Sequence, residues 1–352
     1  MHDYLGTCVG IISQSIGGRK LCAPTVTDFV HNVGANCVRP KGTLSKRKSL
    51  TSLLQILGTS GLSYLSIPNI KNGLPKPVAK IAAMDSQLLD KLGQLQNLLK
   101  TSEKALIAYS GGVDSTLVAK VAYDLLGSQA LAITAVSPSL LPEELEEAIA
   151  QADYIGIRHE LVETEEMNNP NYTSNPVNRC YFCKSELHDT LKPLALARGY
   201  SYVIDGVNAD DLRDYRPGIQ AARERGARSP LAEIAITKSE VRQLSRYLNL
   251  PWWDKPAQPC LSSRFPYGEE ISLEKLQRVG RAEIYLRKLG YRQLRVRSSG
   301  DTARIELPAA EIPDFINRTN LSELVADLQK LGFIYVTLDL EGYQSGKLNR
   351  VL

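Results

Sequence analysis

The chain has 352 residues, of which 43% are hydrophobic, 23% charged and 7% aromatic. This composition excludes a disulfide-rich miniprotein, a collagen-like repeat and a wholly disordered chain, and the length suffices for two domains. The formal net charge of +4 is unevenly placed: residues 1–83 hold ten Lys/Arg against Asp3 and Asp28, net +8, leaving net −4 on the rest. The mild basicity is therefore no nucleic-acid footprint, and no nucleic-acid partner is expected.

Residues 1–83 contain no Glu, are rich in Ser, Thr and Gly, and show no sustained periodicity. Residues 49–70 are uncharged, but seven are Ser or Thr and Gly58, Gly61 and Pro68 interrupt them, a poor match to the roughly 20 apolar residues of a bilayer span. No membrane association is expected. Acid-poor, Ser- and Lys/Arg-bearing N-termini resemble organelle transit peptides. The other reading is a translation start placed too far upstream, because Met84 precedes a clean helical pattern. Either way residues 1–83 are set aside as a disordered leader. No secretory signal is visible, so the thiols are expected to be reduced. The location is expected to be cytoplasmic, or an organelle if the leader is a transit peptide.

From Asp85 to Lys100, Leu88, Leu89, Leu92, Leu95, Leu98 and Leu99 follow helical spacing. A short apolar strand follows at 105–109, then Ser110-Gly-Gly-Val-Asp-Ser115, then a helix over 116–126 ending at Gly127. A second strand is predicted over 130–136. An acidic-first helix starts after Pro142, its Glu143, Glu144, Glu146 and Glu147 suiting a helix N-terminus. Strands are predicted over 159–162 and 202–205, with a helix near 183–198 between them. This alternation predicts an α/β fold with a doubly wound parallel sheet covered on both faces. Past Pro251 and an irregular stretch to 268, the pattern changes to a helix over 272–289, a hairpin over 293–307 turning at 298–301, helical residues 309–331 and a strand over 333–340. Residues 84–250 are therefore expected to form one domain and 251–352 a smaller α+β domain.

The glycines of residues 110–115 sit where a buried strand ends and a helix begins. Backbone N–H groups converge at such a helix N-terminus and can cradle phosphate. Neither GxGxxG nor GxxxxGK[ST] occurs, which excludes the dinucleotide fingerprint and the ordinary ATPase loop. The hexapeptide resembles the PP-loop of the ATP pyrophosphatase superfamily. That resemblance implies cleavage of ATP between its α and β phosphates, with Ser110, Gly111, Gly112, Asp114 and Ser115 holding the pyrophosphate and Lys238 adding positive charge.

Cys180-Tyr-Phe-Cys183 is a CxxC pair followed by Lys184, and Cys260 lies 77 positions beyond Cys183. Such a pair serves as a redox couple, a zinc half-site or iron–sulfur ligands. Zinc would need a fourth ligand. His159 and His188 are the candidates, although His188 falls in a helical pattern and is expected at the surface. Three thiolates suit a [4Fe–4S] cluster with one open iron, and three separately buried cysteines are the bland alternative. The segment from Asp205 to Gly218 follows the fourth strand, and its four carboxylates could help hold Mg²⁺. The segment from Asp254 to Gly268 holds three prolines around Cys260. Arg295 and Arg297 alternate on a predicted strand and so face one side, suiting a phosphate or carboxylate or simply a solvated face.

Taken together, SGGVDS, DYRPG (214–218), RSPL (228–231), SSRFPYG (262–268), RVR (295–297), ARIELP (303–308) and VTLDLEGYQSG (336–346) resemble the LarE sulfurtransferases. The likeness covers nearly all of Met84 to Leu352 and none of residues 1–83. It implies an enzyme that uses ATP and Mg²⁺ to thiolate a small mononucleotide, pyridinium-3,5-biscarboxylic acid mononucleotide, on the route to the nickel-pincer nucleotide. It places Arg264, Glu283, Arg295, Arg297 and Asp314 around the substrate, and a homo-oligomer is expected.

This sequence departs from that pattern twice. The position that supplies a sacrificial cysteine in one branch is Pro259 here, and this chain instead carries Cys180, Cys183 and Cys260, as in the cluster-bearing branch. Gln344 stands where Arg is expected, which puts one anionic contact in doubt. Cys260 is then the expected catalytic residue, either as a ligand of the [4Fe–4S] cluster or as the sulfur donor itself. Rival readings are an amide-forming synthetase of the NAD, GMP or asparagine type, a tRNA thiolase and an adenine-nucleotide sensor.

Overall fold

The computed structural model describes residues 85–352. The leader expected over 1–83, with Met84, lies outside the described residues. The first helix, α1 (Ser86–Lys100), is capped by Asp85, whose carboxylate accepts from the Gln87 N–H at 3.1 Å, and it buries Leu88, Leu92, Leu95 and Leu99.

Alternation along β1 (Ala105–Ala108) and β2 (Ala130–Val136) fixes the architecture. Ala105, Ile107, Ala130 and Ala132 join one hydrophobic cluster with α1, α2 (Val113–Leu126) and α3 (Pro142–Ile155). Leu106, Leu131 and Ile133 join another with Leu191 and Ala195. A strand whose two faces both meet apolar neighbours belongs inside a sheet with helices on both sides. With β3 (Arg158–Glu163) and β4 (Val203–Ile204), these strands form a wholly parallel sheet in the order β3-β2-β1-β4. The α/β fold with helices on both faces of a parallel sheet is thus the one expected.

After β3 come a single turn, α4 (Pro170–Thr173), and then α5 (Arg179–Ala197). The latter begins four residues earlier than the sequence pattern indicates, so Cys180 and Cys183 lie in its first turns. His188, expected at the surface, is 2% exposed, and burial pushes its imidazole down to about 4. Three further helices, α6 (Pro217–Glu224), α7 (Pro230–Glu233) and α8 (Lys238–Tyr247), precede the irregular stretch after Pro251. The start of α8 is a capping box in which Thr237 and Glu240 satisfy each other's backbone N–H groups.

Beyond residue 268, α9 (Leu273–Lys288) precedes β5 (Arg295–Ser299) and β6 (Thr302–Glu306), an antiparallel hairpin turning at Gly300 and Asp301. The helical stretch near 309–331 breaks at Thr319–Asn320 into α10 (Ile312–Arg318) and α11 (Leu321–Lys330). The last strand, β7 (Tyr335–Leu338), then pairs parallel to β6. This second sheet has its own core, in which Leu276, Val279, Leu286, Val296, Ile305, Phe315 and Phe333 are buried. Leu141, from the turn before α3, joins it.

Two glycines set the floor of the first sheet's carboxyl edge. Gly111 has φ +66°, and a Cβ there would stand 2.8 Å from the Ala148 Cβ. At Gly206, just after β4, a Cβ would stand 2.7 Å from the backbone nitrogen of Ser115. Backbone cannot yield as a flexible side chain does, so Gly206→Ala should destabilise the chain by about 1–3 kcal/mol. Denaturant unfolding of the variant beside the parent measures this.

Candidate functional site

The segments leaving the carboxyl ends of all four parallel strands gather at one edge, where ligands bind in open α/β sheets. From β1 the chain enters Ser110-Gly111-Gly112 and then α2, so Asp114 and Ser115 already lie in the helix's first turn. Gly112 is the N-cap and offers no side-chain oxygen to the first N–H groups of α2. These donors, together with the positive end of the helix dipole, suit an anion. Ser115 is turned inward: its Oγ contacts Ser110 N, Ser110 Oγ and Gly112 O at 3.2–3.3 Å. It therefore shapes the loop, while Ser110 stands exposed.

Asp114 is held from two sides, by Lys238 Nζ on Oδ2 (2.5 Å) and by Asn208 Nδ2 on Oδ1 (3.1 Å). Lys238, expected to add charge to the loop, thus reaches it as the ion-pair partner of Asp114. A second lysine reaches the loop from far along the chain. Lys255, 8% exposed, donates from Nζ to Gly111 O (2.9 Å) and pairs with Glu147 Oε2 (2.8 Å).

The four carboxylates expected near Mg²⁺ are engaged elsewhere. Asp205 accepts from Val207 N–H, and Asp210 from Lys238 N–H. Asp211 and Asp214 both pair with Arg216. Among the described residues, no group of three or more His, Cys, Asp or Glu side chains is arranged to hold a metal ion. The carboxylate box does not fit Mg²⁺.

Cys180, Cys183 and Cys260 are free thiols that feel one another's charge. Burial pushes Cys183 up, and Glu166 and Cys260 add to the shift. Burial and then Cys260 push Cys180 up, while Arg179 opposes them. The cluster is anchored over the ends of β2 and β3: Leu261 N–H donates to Ser139 O (2.9 Å), Ser139 Oγ to Glu166 (3.3 Å), and Tyr172 bonds Ser262 Oγ (2.5 Å). Arg179 donates to Ser262 O at 2.9 Å. The three thiols sense one another electrostatically, but as placed they do not form a metal-binding group among the described residues either.

The segment carrying Cys260 has almost no regular structure, yet its carbonyls are taken up in turn by arginines. Arg242 holds the carbonyls of Trp253 and Lys255 (3.2 and 3.0 Å), and Arg295 that of Ala257 (2.5 Å). Arg264 holds those of Pro259 and Cys260 (2.7 and 3.2 Å), and Arg297 that of Ser263 (2.7 Å). Arg295 and Arg297 do share one side of β5, with Val296 in the core behind them. Burial, and then Arg264, lower the Arg295 guanidinium to about 10.

Glu283, fully buried, grips Arg264 through two bonds of 2.8 and 2.9 Å and also accepts from Val296 N–H and Arg287. Burial pushes its carboxyl up, but Arg264, Arg295 and Arg287 together hold it below the usual range. Four of the five expected substrate residues thus converge on the Cys260 segment. Asp314 stands apart, exposed on α10 and paired with Arg318 at 2.6 Å. Gln344 accepts from Arg350.

Asn208, Lys255 and Glu144 are the site residues that pattern reading misses. The first two lie inside segments the sequence singles out, but nothing in their spacing marks them. Glu144 is 8% exposed, with Oε1 buried and without a hydrogen-bond partner. Burial raises its carboxyl to about 7, against the pull of Arg264, Arg287 and Lys255. A carboxyl raised on folding binds more protons in the native state, so its contribution to stability falls as pH rises from about 4.5 to about 7. Glu144→Gln removes that loss. Between pH 5 and 8 its stability relative to the parent should rise by about 1–3 kcal/mol, read from unfolding curves at each pH.

Known proteins share much of this sequence. A family model described as NAD synthase matches residues 88–176. An uncharacterized protein of Synechocystis is 75% identical over 265 residues, spanning 75% of this chain and 99% of that protein. The pyridinium-3,5-bisthiocarboxylic acid mononucleotide synthase of Lactiplantibacillus plantarum is 39% identical over 269 residues, spanning 75% of this chain and 96% of that enzyme. One polypeptide of the glutamine-hydrolyzing GMP synthase of Saccharolobus solfataricus is 29% identical over 203 residues, 52% of each chain. With its phosphate-type loop, its sheet order and this extent of identity, the chain belongs to the LarE family of PP-loop ATP-using enzymes.

Proposed function

We propose that this chain is an ATP-dependent sulfurtransferase that thiolates pyridinium-3,5-biscarboxylic acid mononucleotide, forming a precursor of the nickel-pincer nucleotide. One observation carries the reading: an anion-ready helix N-terminus and three free thiols share one sheet edge. Amide formation, the chemistry of NAD and GMP synthetases, would leave those thiols without a task. On this reading residues 84–250 serve the nucleotide and residues 251–352 the substrate and sulfur.

Mg²⁺ arrives with ATP as part of the substrate. The loop 110–115 receives the β and γ phosphates, and its N–H groups stabilise charge on the departing pyrophosphate. A substrate carboxylate oxygen attacks the α-phosphorus, the bond to the bridging oxygen breaks, and an acyl-adenylate forms. A sulfur nucleophile at Cys260 then attacks the acyl carbon, and AMP leaves with the electron pair of the broken C–O bond. Where that nucleophile is the Cys260 thiolate itself, loss of the Cα proton and cleavage of Cβ–Sγ then release the thiocarboxylate and leave dehydroalanine. Of the expected substrate residues, Arg297, not fully enclosed beside the Cys260 segment, is proposed to touch the mononucleotide, and Asp314, which stands apart on α10, is left out of the site. Arg264, Glu283 and Arg295 act by holding the Cys260 segment. Cys180, Cys183 and Cys260 are the residues that would hold a [4Fe–4S] cluster once their thiols closed into a ligand set they do not form here, and such a cluster would supply sulfide.

Incubating the full chain with MgATP and the mononucleotide should release pyrophosphate only when the mononucleotide is present. The product mass should show one oxygen replaced by sulfur. Cys260→Ser should keep pyrophosphate release and lose thiolated product by roughly 10²-fold or more. An amide product formed with ammonia, or no pyrophosphate at all, would defeat the reading. Cys260 converted to dehydroalanine, with Cys180→Ser still active for one turnover, would make Cys260 itself the donor.

A further inference from the structure

Between the nucleotide loop and Cys260 runs one short covalent path, Lys255-Pro-Ala-Gln-Pro-Cys260. Its far end is tethered by hydrogen bonds: Arg264 donates to the Pro259 and Cys260 carbonyls, and Leu261 N–H is bonded to Ser139 O. Its near end is the Lys255 ammonium, buried against Gly111 O and Glu147. A buried ammonium is costly unless its donors are satisfied. Lys255 carries three N–H donors and these partners use two, which leaves one for an anion in the loop. Pro256 and Pro259 each have a fixed φ, and Arg242 and Arg295 hold the Lys255 and Ala257 carbonyls, so a shift larger than the Lys255 side chain can take up passes along a stiff backbone.

Glu147 lies on α3 one turn past Glu143, which pairs with Arg287 at 3.4 Å, and Arg287 pairs with Glu283, the partner of Arg264. The same helix therefore steadies both ends of the path. Asp114 ties up Lys238, so the loop's other lysine does not share this connection.

We propose that Lys255 is a positioning residue that couples nucleotide occupancy of the Gly111 loop to the exposure of Cys260, an inference resting on the sulfur-transfer reading above. Phosphate entering the loop draws the ammonium from Glu147, and the proline-stiffened path carries that shift to Cys260. The adenylate and the sulfur are thereby brought together only after ATP has bound.

The test measures Cys260 alkylation by iodoacetamide, read by peptide mass on the full chain depleted of iron, with and without α,β-methylene-ATP. In the parent, the nucleotide should change the alkylation rate about five-fold or more. Lys255→Met should reduce that change to less than about two-fold while the thermal transition shows the chain still folded. Lys255→Arg should restore most of it. Glu147→Gln, which frees the same ammonium without removing it, should shift the nucleotide-free rate towards the nucleotide-bound one. Equal rates with and without nucleotide in the parent, or full coupling retained in Lys255→Met, would overturn the proposal. Both outcomes are independent of product formation: thiolation without coupled alkylation removes only the role of Lys255, and coupled alkylation without thiolation removes only the sulfur-transfer reading.

Discussion

Residues 253–260, which lead to Cys260, lie outside any helix or strand and are half-exposed apart from the buried Lys255. With no helix or strand partner, such a stretch holds one position only where other groups donate to its carbonyls. Four guanidinium groups, from Arg242, Arg264, Arg295 and Arg297, supply the missing donors. Each planar group presents several N–H bonds in a fixed fork, so a few arginines can replace a strand partner. The buried carboxylates Glu283 and Glu306 in turn hold Arg264 and Arg297. The position of Cys260, and with it the site, depends on this scaffold of charge.

That scaffold explains why the fold is more legible in the sequence than the site. Strong periodicity in α1 and the apolar runs of β1 and β2 report burial directly, and burial decides elements. The start of α5 is harder to see because its first turns carry cysteines and polar residues instead of an apolar stripe. His188 misleads for a related reason: a polar residue in a helical pattern reads as solvated, whereas here its helix is packed against both β4 and α6. The helix α8 does carry a local signal, the Thr237–Glu240 box, which hydrophobic spacing alone overlooks.

The site residues divide in the same way. Gly111 and Gly112 are readable because a loop between strand and helix has few sequence solutions. The convergence of Arg264, Glu283, Arg295 and Arg297 is visible in the sequence only as a resemblance. What they touch is not visible there, because a guanidinium suits a substrate phosphate and a backbone carbonyl equally well. Lys255 and Asn208 meet the loop across 144 and 94 residues of chain, and no spacing rule spans such distances. The acidic start of α3 suggests a dipole effect. In the fold, Glu143 and Glu147 also tether the later half of the chain.

The short strand β4 has a further meaning for how the molecule assembles. It adds only two residues to the sheet, yet Gly206, immediately after it, presses its backbone against the amide of Ser115, and Asn208 holds Asp114. The anion cradle is therefore completed by a segment synthesised long after the loop itself. Loop closure over that span costs entropy that only the finished sheet repays. A nascent or partly folded chain would hold the glycine loop without its floor, so nucleotide is recognised by the native topology and not by the hexapeptide alone. Bound ATP would then act as a selective ligand for the fully assembled sheet, drawing the folding equilibrium towards it.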